Sequence, residues 1–332
     1  MLPFAALLLM LAQPAAATAQ PLSRADREQV ITNAARLLET RYVDPERGRS
    51  LAGALRRQAP AWQGIGDRAA FAAAVSDWLR RESGDGHLAL SHSATPIPDQ
   101  PDGEAAFNAE EMERWYGAHL NHGVQRIERL DGNIMLLELS VFPPPAMGGD
   151  VIAAAMNVVA QGDALILDLR RNGGGAETAS LVVGYLLDRM KPLSGSYDRP
   201  SGASQANTSP DWVPGRRFGG SKPLYILTSR RTFSAAEAVA YDLQALRRAI
   251  IVGERTGGGA HPYAYRRVHA HFALDLPEGR SVNPITGGNW QNVGVRPDVE
   301  VPADKALDRA LELARAAIRD RSAGASGLPA LP

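Results

Sequence analysis

The run ALILDLR, residues 164–170, is the feature that most narrows the folds open to this chain. Its apolar residues are nearly consecutive instead of alternating, a pattern typical of a strand buried on both faces of a parallel sheet. From Asn133 onward, short strands alternate with helical segments: NIMLLELSVF, DVIAAAMNVVA, ALILDLR, AETASLVVGYLLDRM and PLYILT. We therefore predict an α/β fold in which helices cover the faces of a sheet.

The residues before this pattern, 24–81, read as helices. The segment REQVITNAARLLETRYV repeats apolar residues at helical spacing, as do RSLAGALRRQ and RAAFAAAVSDWLRRE. We predict a helical N-terminal domain over residues 20–95, an α/β core domain over 96–320 and a disordered tail over 321–332. Residues 191–222 are rich in Gly, Pro, Ser and Arg, which predicts a long irregular excursion with a small hairpin.

The composition excludes several classes of protein. The chain has 332 residues and no cysteine, so disulfide frameworks, thiol nucleophiles and cysteine-ligated zinc sites are ruled out. Lys plus Arg and Asp plus Glu each number 36, and this zero net charge gives no indication of a nucleic-acid partner. The length suits one large domain, or a core with a small second domain.

The first residues are typical of a secretory signal. The apolar run FAALLLMLA is too short to span a bilayer as a stable anchor, and Ala17-Thr18-Ala19 offers an A-x-A cleavage site. We therefore predict a signal peptide over residues 1–19 and an exported protein, periplasmic or extracellular, with no stable membrane anchor. A short membrane anchor is the alternative.

Ser234 lies between the predicted strand PLYILT and the predicted helix AAEAVAYDLQ. A strand-to-helix turn exposes the hydroxyl and directs helix N–H groups toward a developing negative charge. That position suits a nucleophile whose first oxyanion donor is the N–H of Ala235. A serine just before a helix is also a common N-cap. The local sequence leaves both interpretations open.

A second turn offers the remaining donor. Asn172–Gly175 follows the strand ALILDLR, and its successive glycines present backbone N–H groups with no side chain in the way. The N–H of Gly173 or Gly174 suits an oxyanion hole. A phosphate site and a plain structural turn are the alternatives.

His87, in the turn GDGH after a helix, is the candidate general base. His92 is close by, and a lone histidine is often structural. His269 and His271 alternate along a predicted strand and would share a face, but no third metal ligand is placed beside them. We therefore predict no metal and no cofactor.

Taken in order, these segments resemble the carboxyl-terminal processing, or tail-specific, serine peptidases. The motifs are GDGHLAL, ALILDLRRNGGG, YILTSRRTFSAAEAVAYDLQ, IIVGERTGGG and NPITGGNWQNVGVRPDVEV. The chain looks most like the His-using branch, which includes the tricorn core protease and the modules of interphotoreceptor retinoid-binding protein. The resemblance covers about residues 24–301. It implies a Clp-protease/crotonase-like ββα core with an N-terminal helical bundle.

The resemblance also implies roles for particular residues. Ser234 is then the nucleophile and His87 the base, and the oxyanion hole combines the N–H of Ala235 with that of Gly173 or Gly174. The sequence departs from the family in several places. Gly259 stands where relatives with a Ser/Lys dyad carry lysine, and Gly86 stands where the His-using branch has serine. The segment after the GDGH turn is too short for a PDZ domain.

The most consequential departure is Gln291, in QNVGV, where the His-using branch carries an acid that helps to orient the base. An amide can orient an imidazole but carries no charge to stabilise the imidazolium. This predicts slow turnover that Gln291→Glu would raise. Asp85 and Glu254 are the nearest alternative acids in the motifs.

Two functions remain open on the sequence. The first is an exported serine-type peptidase acting on peptides or proteins; the second is a weakly active or inactive binding module for peptides or apolar ligands on the same fold. The missing acid at Gln291 favours the module, whereas Ser234, His87 and the glycine turn favour the enzyme. The sequence carries no indication of oligomeric state.

Overall fold

The computed structural model describes residues 21–98 and 107–325. The predicted signal peptide and the end of the predicted tail lie outside the described residues. No helix within the described ranges is long and apolar enough to cross a membrane.

The helices and strands follow one another in this order: α1 (Arg24–Arg41), α2 (Pro45–Gln58), α3 (Arg68–Ser83), β1 (Ala89–His92), α4 (Ala109–Tyr116), β2 (Val124–Leu130), β3 (Ile134–Leu139), α5 (Pro145–Val159), β4 (Ala164–Asp168), α6 (Thr178–Tyr185), β5 (Pro192–Asp198), β6 (Ser204–Thr208), β7 (Leu224–Thr228), α7 (Ala235–Ala245), β8 (Ile250–Gly253), β9 (Tyr263–His269), β10 (Phe272–Pro277), β11 (Gly279–Val282), β12 (Val299–Glu300) and α8 (Ala306–Ala325). Short 3₁₀ turns lie at Ala59–Trp62, Ala118–Gly123 and Ala303–Lys305.

Polar caps begin the three N-terminal helices. Ser23 and Asp26 form a reciprocal capping box at the start of α1. Asp44 and Asp67 accept backbone N–H hydrogen bonds at the starts of α2 and α3. Helix α3 ends at Gly84, whose φ of 71° lies in the left-handed region that glycine adopts without strain. This ending turns the chain into the GDGH segment.

Helices α1–α3 pack on a three-stranded antiparallel sheet with the strand order β1-β10-β9. Leu88, Leu90, Phe272 and Leu274 are buried against the helices. Side chains alternate between the faces of a strand, so the intervening residues of β1 and β10 point to the opposite side. Two of these strands come from residues 263–277, so a hairpin from far along the chain completes the core of the N-terminal helices.

The second part of the molecule is a six-stranded sheet in the order β12-β8-β7-β4-β3-β2. Strands β3, β4, β7, β8 and β12 run parallel, and β2 pairs antiparallel with β3 at the edge. The predicted α/β architecture is confirmed, and the strand ALILD lies in the interior of this sheet with every residue buried.

Both faces of the six-stranded sheet are covered. In β4, Leu165 and Leu167 join the core under α5, α6 and α7, whereas Ala164 and Ile166 join the core under α8. A strand with helices on both sides needs apolar residues at every position, which explains the uninterrupted run in the sequence.

The excursion over residues 191–222 contains the predicted hairpin, formed by β5 and β6, and β11 joins β5 to make a small sheet. Helix α8 runs to Ala325, so residues 321–325 are helical and not part of a disordered tail. One contact ties this end of α8 to the rest of the molecule: Arg321 donates to the carbonyl of Ser221. Within the helix, the Ser322 hydroxyl donates to the Ile318 carbonyl at 3.0 Å.

Candidate active site

Ser234 occupies a strained turn between β7 and α7. Its φ of 54° and ψ of −121° lie in a region that residues with a side chain rarely adopt. Such a conformation costs about 1–3 kcal/mol and persists only where the surroundings impose it. The turn presents the Ser234 hydroxyl at the start of α7, as a nucleophile requires.

Hydrogen bonds to the neighbouring strand β4 impose this turn. The Thr232 hydroxyl donates to the Leu169 carbonyl at 2.8 Å, and the N–H of Phe233 donates to the Asn172 carbonyl at 3.0 Å. Asn172 is fully buried, and its direct hydrogen bond with Phe233 joins the turn after β4 to the turn after β7. The two turns that the sequence singled out therefore form one unit.

A buried carboxylate, Glu237, supports the same turn and was missed by the sequence reasoning. One of its oxygens accepts from the N–H groups of Ser234, at 2.9 Å, and Gly259, at 2.7 Å. The other accepts from the Thr256 hydroxyl at 2.5 Å and the Gly258 N–H at 2.6 Å. Burial, opposed by these hydrogen bonds, raises the pKa of Glu237. The spacing S-x-x-E, a capping-box pattern, was the available signal.

His87 meets Ser234 across a sequence separation of 147 residues. Its Nε2 lies 2.9 Å from the Ser234 hydroxyl oxygen, a hydrogen-bonding distance. The imidazole packs between aromatic rings, with centroid distances of 4.7 Å to Phe233 and 5.4 Å to Tyr263. The predicted pairing of serine and histidine is thus present in the geometry.

The environment of His87 keeps its ring neutral. Burial, the largest cause, lowers the pKa of His87 to about 4; the charge of Asp85 raises it and that of His261 lowers it further. A neutral imidazole with its proton on Nδ1 leaves Nε2 free to accept the proton of Ser234. The Nδ1 atom is buried and has no hydrogen-bond partner among the described residues.

The side chain of Gln291 makes no hydrogen bond to His87 in the structure. The Gln291 side-chain oxygen accepts from the Ala260 N–H at 2.6 Å, and its nitrogen donates to Asn292 at 3.1 Å. The amide therefore braces the loop beside the site and does not orient the base. Glu254 lies elsewhere, at the end of β8, where its carboxylate accepts from the Arg230 N–H at 3.4 Å.

Asp85 is the candidate acid that the structure does place beside His87. It is buried, and one oxygen accepts from the His87 backbone N–H at 3.0 Å. The other oxygen pairs with Nδ1 of His261 at 2.7 Å and accepts from the Tyr42 hydroxyl at 3.3 Å. Burial alone would raise the pKa of Asp85, but the His261 hydrogen bond and charge prevail and lower it. His261, in the turn GGGAHP, is a residue that the sequence analysis did not single out.

The predicted oxyanion donors surround the hydroxyl. Gly174, with a φ of 108°, approaches Ser234 so closely that an added Cβ would lie 2.7 Å from the Ser234 Cβ. Its N–H is engaged by the Asn172 side chain at 2.8 Å. The N–H groups of Gly173 and Ala235 have no hydrogen-bond partner among the described residues, which leaves these two for an incoming oxygen.

Two adjoining hollows open on either side of Ser234, with cavity volumes of about 600 and 560 Å³. His87, Ser234 and Tyr263 line both. The first extends toward Trp290 and the second toward Gly173 and Asp275. An extended chain crossing Ser234 would occupy both hollows.

Comparison with known proteins matches residues 133–301 to the model of Peptidase family S41. The chain is 29% identical to the tail-specific protease of Haemophilus influenzae over 147 residues, which is 42% of this chain and 20% of that protein. It is 30% identical to the chloroplastic C-terminal processing peptidase of Tetradesmus obliquus over 145 residues, 41% of this chain and 28% of that protein. The chain thus aligns with less than a third of either relative's length.

Solved structures share the fold at low sequence identity. A lipoprotein from Streptococcus agalactiae gives a TM-score of 0.59 at 17% identity, covering 88% of this chain and 96% of the other. The structure of mature CPAF complexed with lactacystin gives a TM-score of 0.57 at 12% identity, and the match covers 89% of this chain and 99% of the other. The family match includes the glycine turn and Ser234 and spans just over half of the 332 residues, and on this ground the chain belongs to peptidase family S41.

Proposed function

We propose that the protein is a serine-type peptidase that hydrolyses peptide bonds in peptides or proteins. The observation that carries this proposal is the 2.9 Å contact between the Ser234 hydroxyl and Nε2 of His87 at a strained turn. A serine is a weak nucleophile unless a base within hydrogen-bonding distance removes its proton, and this pair meets that requirement.

In the proposed reaction, Ser234 attacks the carbonyl carbon of the scissile peptide bond while His87 takes the hydroxyl proton. The carbonyl oxygen becomes an oxyanion, which accepts from the N–H groups of Ala235 and Gly173. His87 then gives its proton to the leaving amine, and the carbon–nitrogen bond breaks to leave an acyl-enzyme. Water, activated by His87, hydrolyses that ester and restores the serine.

Asp85 is the acid that supports His87 in this proposal. It acts through the backbone N–H of His87 and through its charge, since its carboxylate does not bond Nδ1. A nearby negative charge stabilises the imidazolium that forms during proton transfer. His261 and Tyr42 hold this carboxylate in position.

The remaining expectations from the sequence complete the proposal. We propose that the protein is exported to the periplasm or the cell exterior after removal of residues 1–19, and that it needs no metal or cofactor. Within the described residues, no group of three or more histidine, aspartate or glutamate side chains is arranged to hold a metal ion. We propose a helical N-terminal domain and an α/β core domain, with the catalytic pair drawn from both.

A fluorophosphonate probe tests the proposal directly, because it forms a covalent bond only with an activated serine. We expect labelling of Ser234, located by peptide mass spectrometry, and turnover of a casein-type substrate. Ser234→Ala should abolish labelling and lower turnover by about 10⁴-fold or more while the protein still folds. Ser204→Ala, at an exposed position on β6, is the matched control and should behave as the wild type.

A non-catalytic binding module is the second candidate, and the unpartnered Nδ1 of His87 favours it. A base without a bonded acid is a weaker catalyst. If Ser234 resists the probe and the folded wild type turns over no substrate, the binding module replaces the peptidase. Full activity in Ser234→Ala would exclude this serine as the nucleophile.

A further inference from the structure

Asp275 is a half-buried acid in the lining of the hollow beside the proposed catalytic pair, and the reaction above does not use it. It lies on β10 opposite Ala89 of β1, and one of its oxygens accepts from the Ser91 hydroxyl at 2.7 Å. The other oxygen, Oδ1, is buried and has no hydrogen-bond partner among the described residues. A buried carboxylate oxygen without a donor is destabilising, so this atom is chemically unsatisfied.

The surroundings of Asp275 make its ionised form costly. Burial, the largest cause, raises the pKa of Asp275 to about 7; Glu111 acts in the same direction, and Ser91 and Arg80 oppose them. No ion pair to Asp275 exists among the described residues. A positive charge brought close would favour the carboxylate over the neutral acid.

Asp275 lines the hollow that extends from Ser234 past the glycine turn, and it is the one carboxyl group among the described lining residues. Aromatic side chains form much of the wall: Phe107, Trp115 and Tyr263 line the same hollow, and the Phe107 and Trp115 rings meet edge to face at 4.7 Å. Aromatic faces attract cations because their π-electrons carry negative charge.

The hollow also contains one cationic side chain, Arg114, but it does not neutralise Asp275. Arg114 is largely exposed, and its guanidinium lies 3.5 Å from the carboxylate of Glu110 on the same helix, α4. The carboxyl group of an aspartate turns readily about its Cβ–Cγ bond, which would present Oδ1 to the hollow. An acid, an aromatic wall and an adjacent nucleophile therefore occur together.

We propose that Asp275 forms a subsite for a cationic group of the substrate, which is either a lysine or arginine side chain near the scissile bond or a free amino terminus. This inference rests on the proposed peptidase function and names the substrate class of that site. The cation pairs with the Asp275 carboxylate and packs against the aromatic wall, and this holds the adjoining peptide bond at Ser234.

Internally quenched peptides test this preference. Acetylated peptides carrying lysine, norleucine or glutamate are scanned through each position around a cleaved bond, and kcat/KM is measured for each. At one position we expect kcat/KM for the lysine peptide to exceed that for the norleucine peptide by about tenfold or more, and kcat/KM for the glutamate peptide to be the lowest. A norleucine peptide with a free amino terminus separates the two sources of the cation. Its kcat/KM exceeds that of its acetylated form only if the amino terminus is the group that pairs with Asp275.

Asp275→Asn removes the charge with little change in shape. We expect the ratio of kcat/KM for the lysine peptide to kcat/KM for the norleucine peptide to fall to about one in this variant. Asp77→Asn, at an exposed position on α3, is the matched control and should keep the wild-type ratio. The proposal is overturned if Asp275→Asn keeps the ratio, or if the wild type shows no dependence on charge at any position and no gain from a free amino terminus.

Two further measurements cover the cases in which the variant does not fold or the wild type cleaves no peptide. If thermal melting shows that Asp275→Asn does not fold, the test rests on the wild type alone. The order of its kcat/KM values for the lysine, norleucine and glutamate peptides then decides whether the subsite prefers a cation. If the wild type cleaves nothing, the peptidase function fails separately, and the Kd values of the same peptides on Ser234→Ala test the subsite. Equal Kd values for lysine and norleucine peptides, and for free and acetylated amino termini, would then reject it.

Discussion

Burial around His87 sets the pH range in which the proposed site works. Its pKa is lowered to about 4, and it accepts the Ser234 proton only while it is neutral. Protonation below that pKa removes the base. We therefore expect kcat/KM to be nearly constant from about pH 5 to neutrality and to fall about tenfold per pH unit below about pH 4. A pH–rate profile measures this. The fall in kcat/KM at low pH is called the acid limb, and an acid limb near the ordinary histidine pKa would contradict a buried, neutral ring.

Asp85 is the residue whose charge should support that base. Because its carboxylate raises the pKa of His87, Asp85→Asn should move the acid limb to lower pH. It should also slow turnover by about tenfold, since the imidazolium loses a stabilising charge. The readout is kcat together with the position of the acid limb. Loss of stability without a shift of the limb would show a structural role only.

Two other acid positions serve as comparisons for Asp85. Glu254→Gln should leave the acid limb unchanged, because Glu254 bonds the backbone of Arg230 at a different place. Gln291→Glu adds a negative charge in the loop beside the site and should raise the pKa of His87, which moves the acid limb upward. If Glu254→Gln abolishes activity instead, Glu254 is the supporting acid.

Among the elements, the turn between β7 and α7 depends on a single carboxylate. Glu237 accepts four hydrogen bonds and ties the start of α7 to the loop before β9. In Glu237→Gln an NH₂ group replaces one oxygen and faces N–H donors, so buried donors lose their acceptor. We expect a loss of about 3 kcal/mol in the free energy of unfolding and slower labelling of Ser234. Urea denaturation and the fluorophosphonate rate measure the two effects.

Glu46→Gln, at an exposed position in the first turn of α2, is the matched control for that change. It should alter the free energy of unfolding by less than about 0.5 kcal/mol. If Glu237→Gln labels as fast as the wild type, the carboxylate does not position the serine.

For the whole molecule, the proposed catalytic pair comes from two parts of the fold, the N-terminal helical part and the six-stranded sheet. His87 follows α3 and precedes β1, whereas Ser234 begins α7 on the six-stranded sheet. The hairpin of β9 and β10 connects them, because it completes the core of the N-terminal helices and carries Tyr263 against the His87 ring. The stability of the N-terminal core should therefore influence the site.

Phe272 is the side chain on which that core can be tested. It is fully buried on β10 and meets Phe71 of α3 edge to face at 5.8 Å. Phe272→Ala should lower the free energy of unfolding by about 3–5 kcal/mol, through lost burial and the cavity left behind. Trp212→Ala, at a side chain that is 74% exposed, should have little effect. Equal losses in the two variants, measured by denaturation, would contradict this account of the core.

The sequence by itself predicted the class of fold, and it singled out Ser234 and His87, which the fold brings to hydrogen-bonding distance. The apolar run Ala164–Leu167 has no polar position to face water, which places it inside a covered sheet, and all of its residues are buried there. Ser234 and His87 each stand in turns of recognisable pattern, and Gly174, after β4, leaves no room for a side chain beside the serine. These properties belong to short stretches of chain and can be read from them.

Only the tertiary structure decided which charges act on the pair. Asp85 meets His261, Glu237 meets the loop at Gly258, and Gln291 turns to Ala260 instead of His87. Asp275 comes beside the site only because β10 pairs with β1, far away in sequence. Hydrogen bonds and burial depend on distances between segments that the local sequence does not specify, and a pKa depends on both. Ser234, His87 and Asp85 could therefore be singled out from the sequence, whereas the contacts of Glu237, His261 and Asp275 could not.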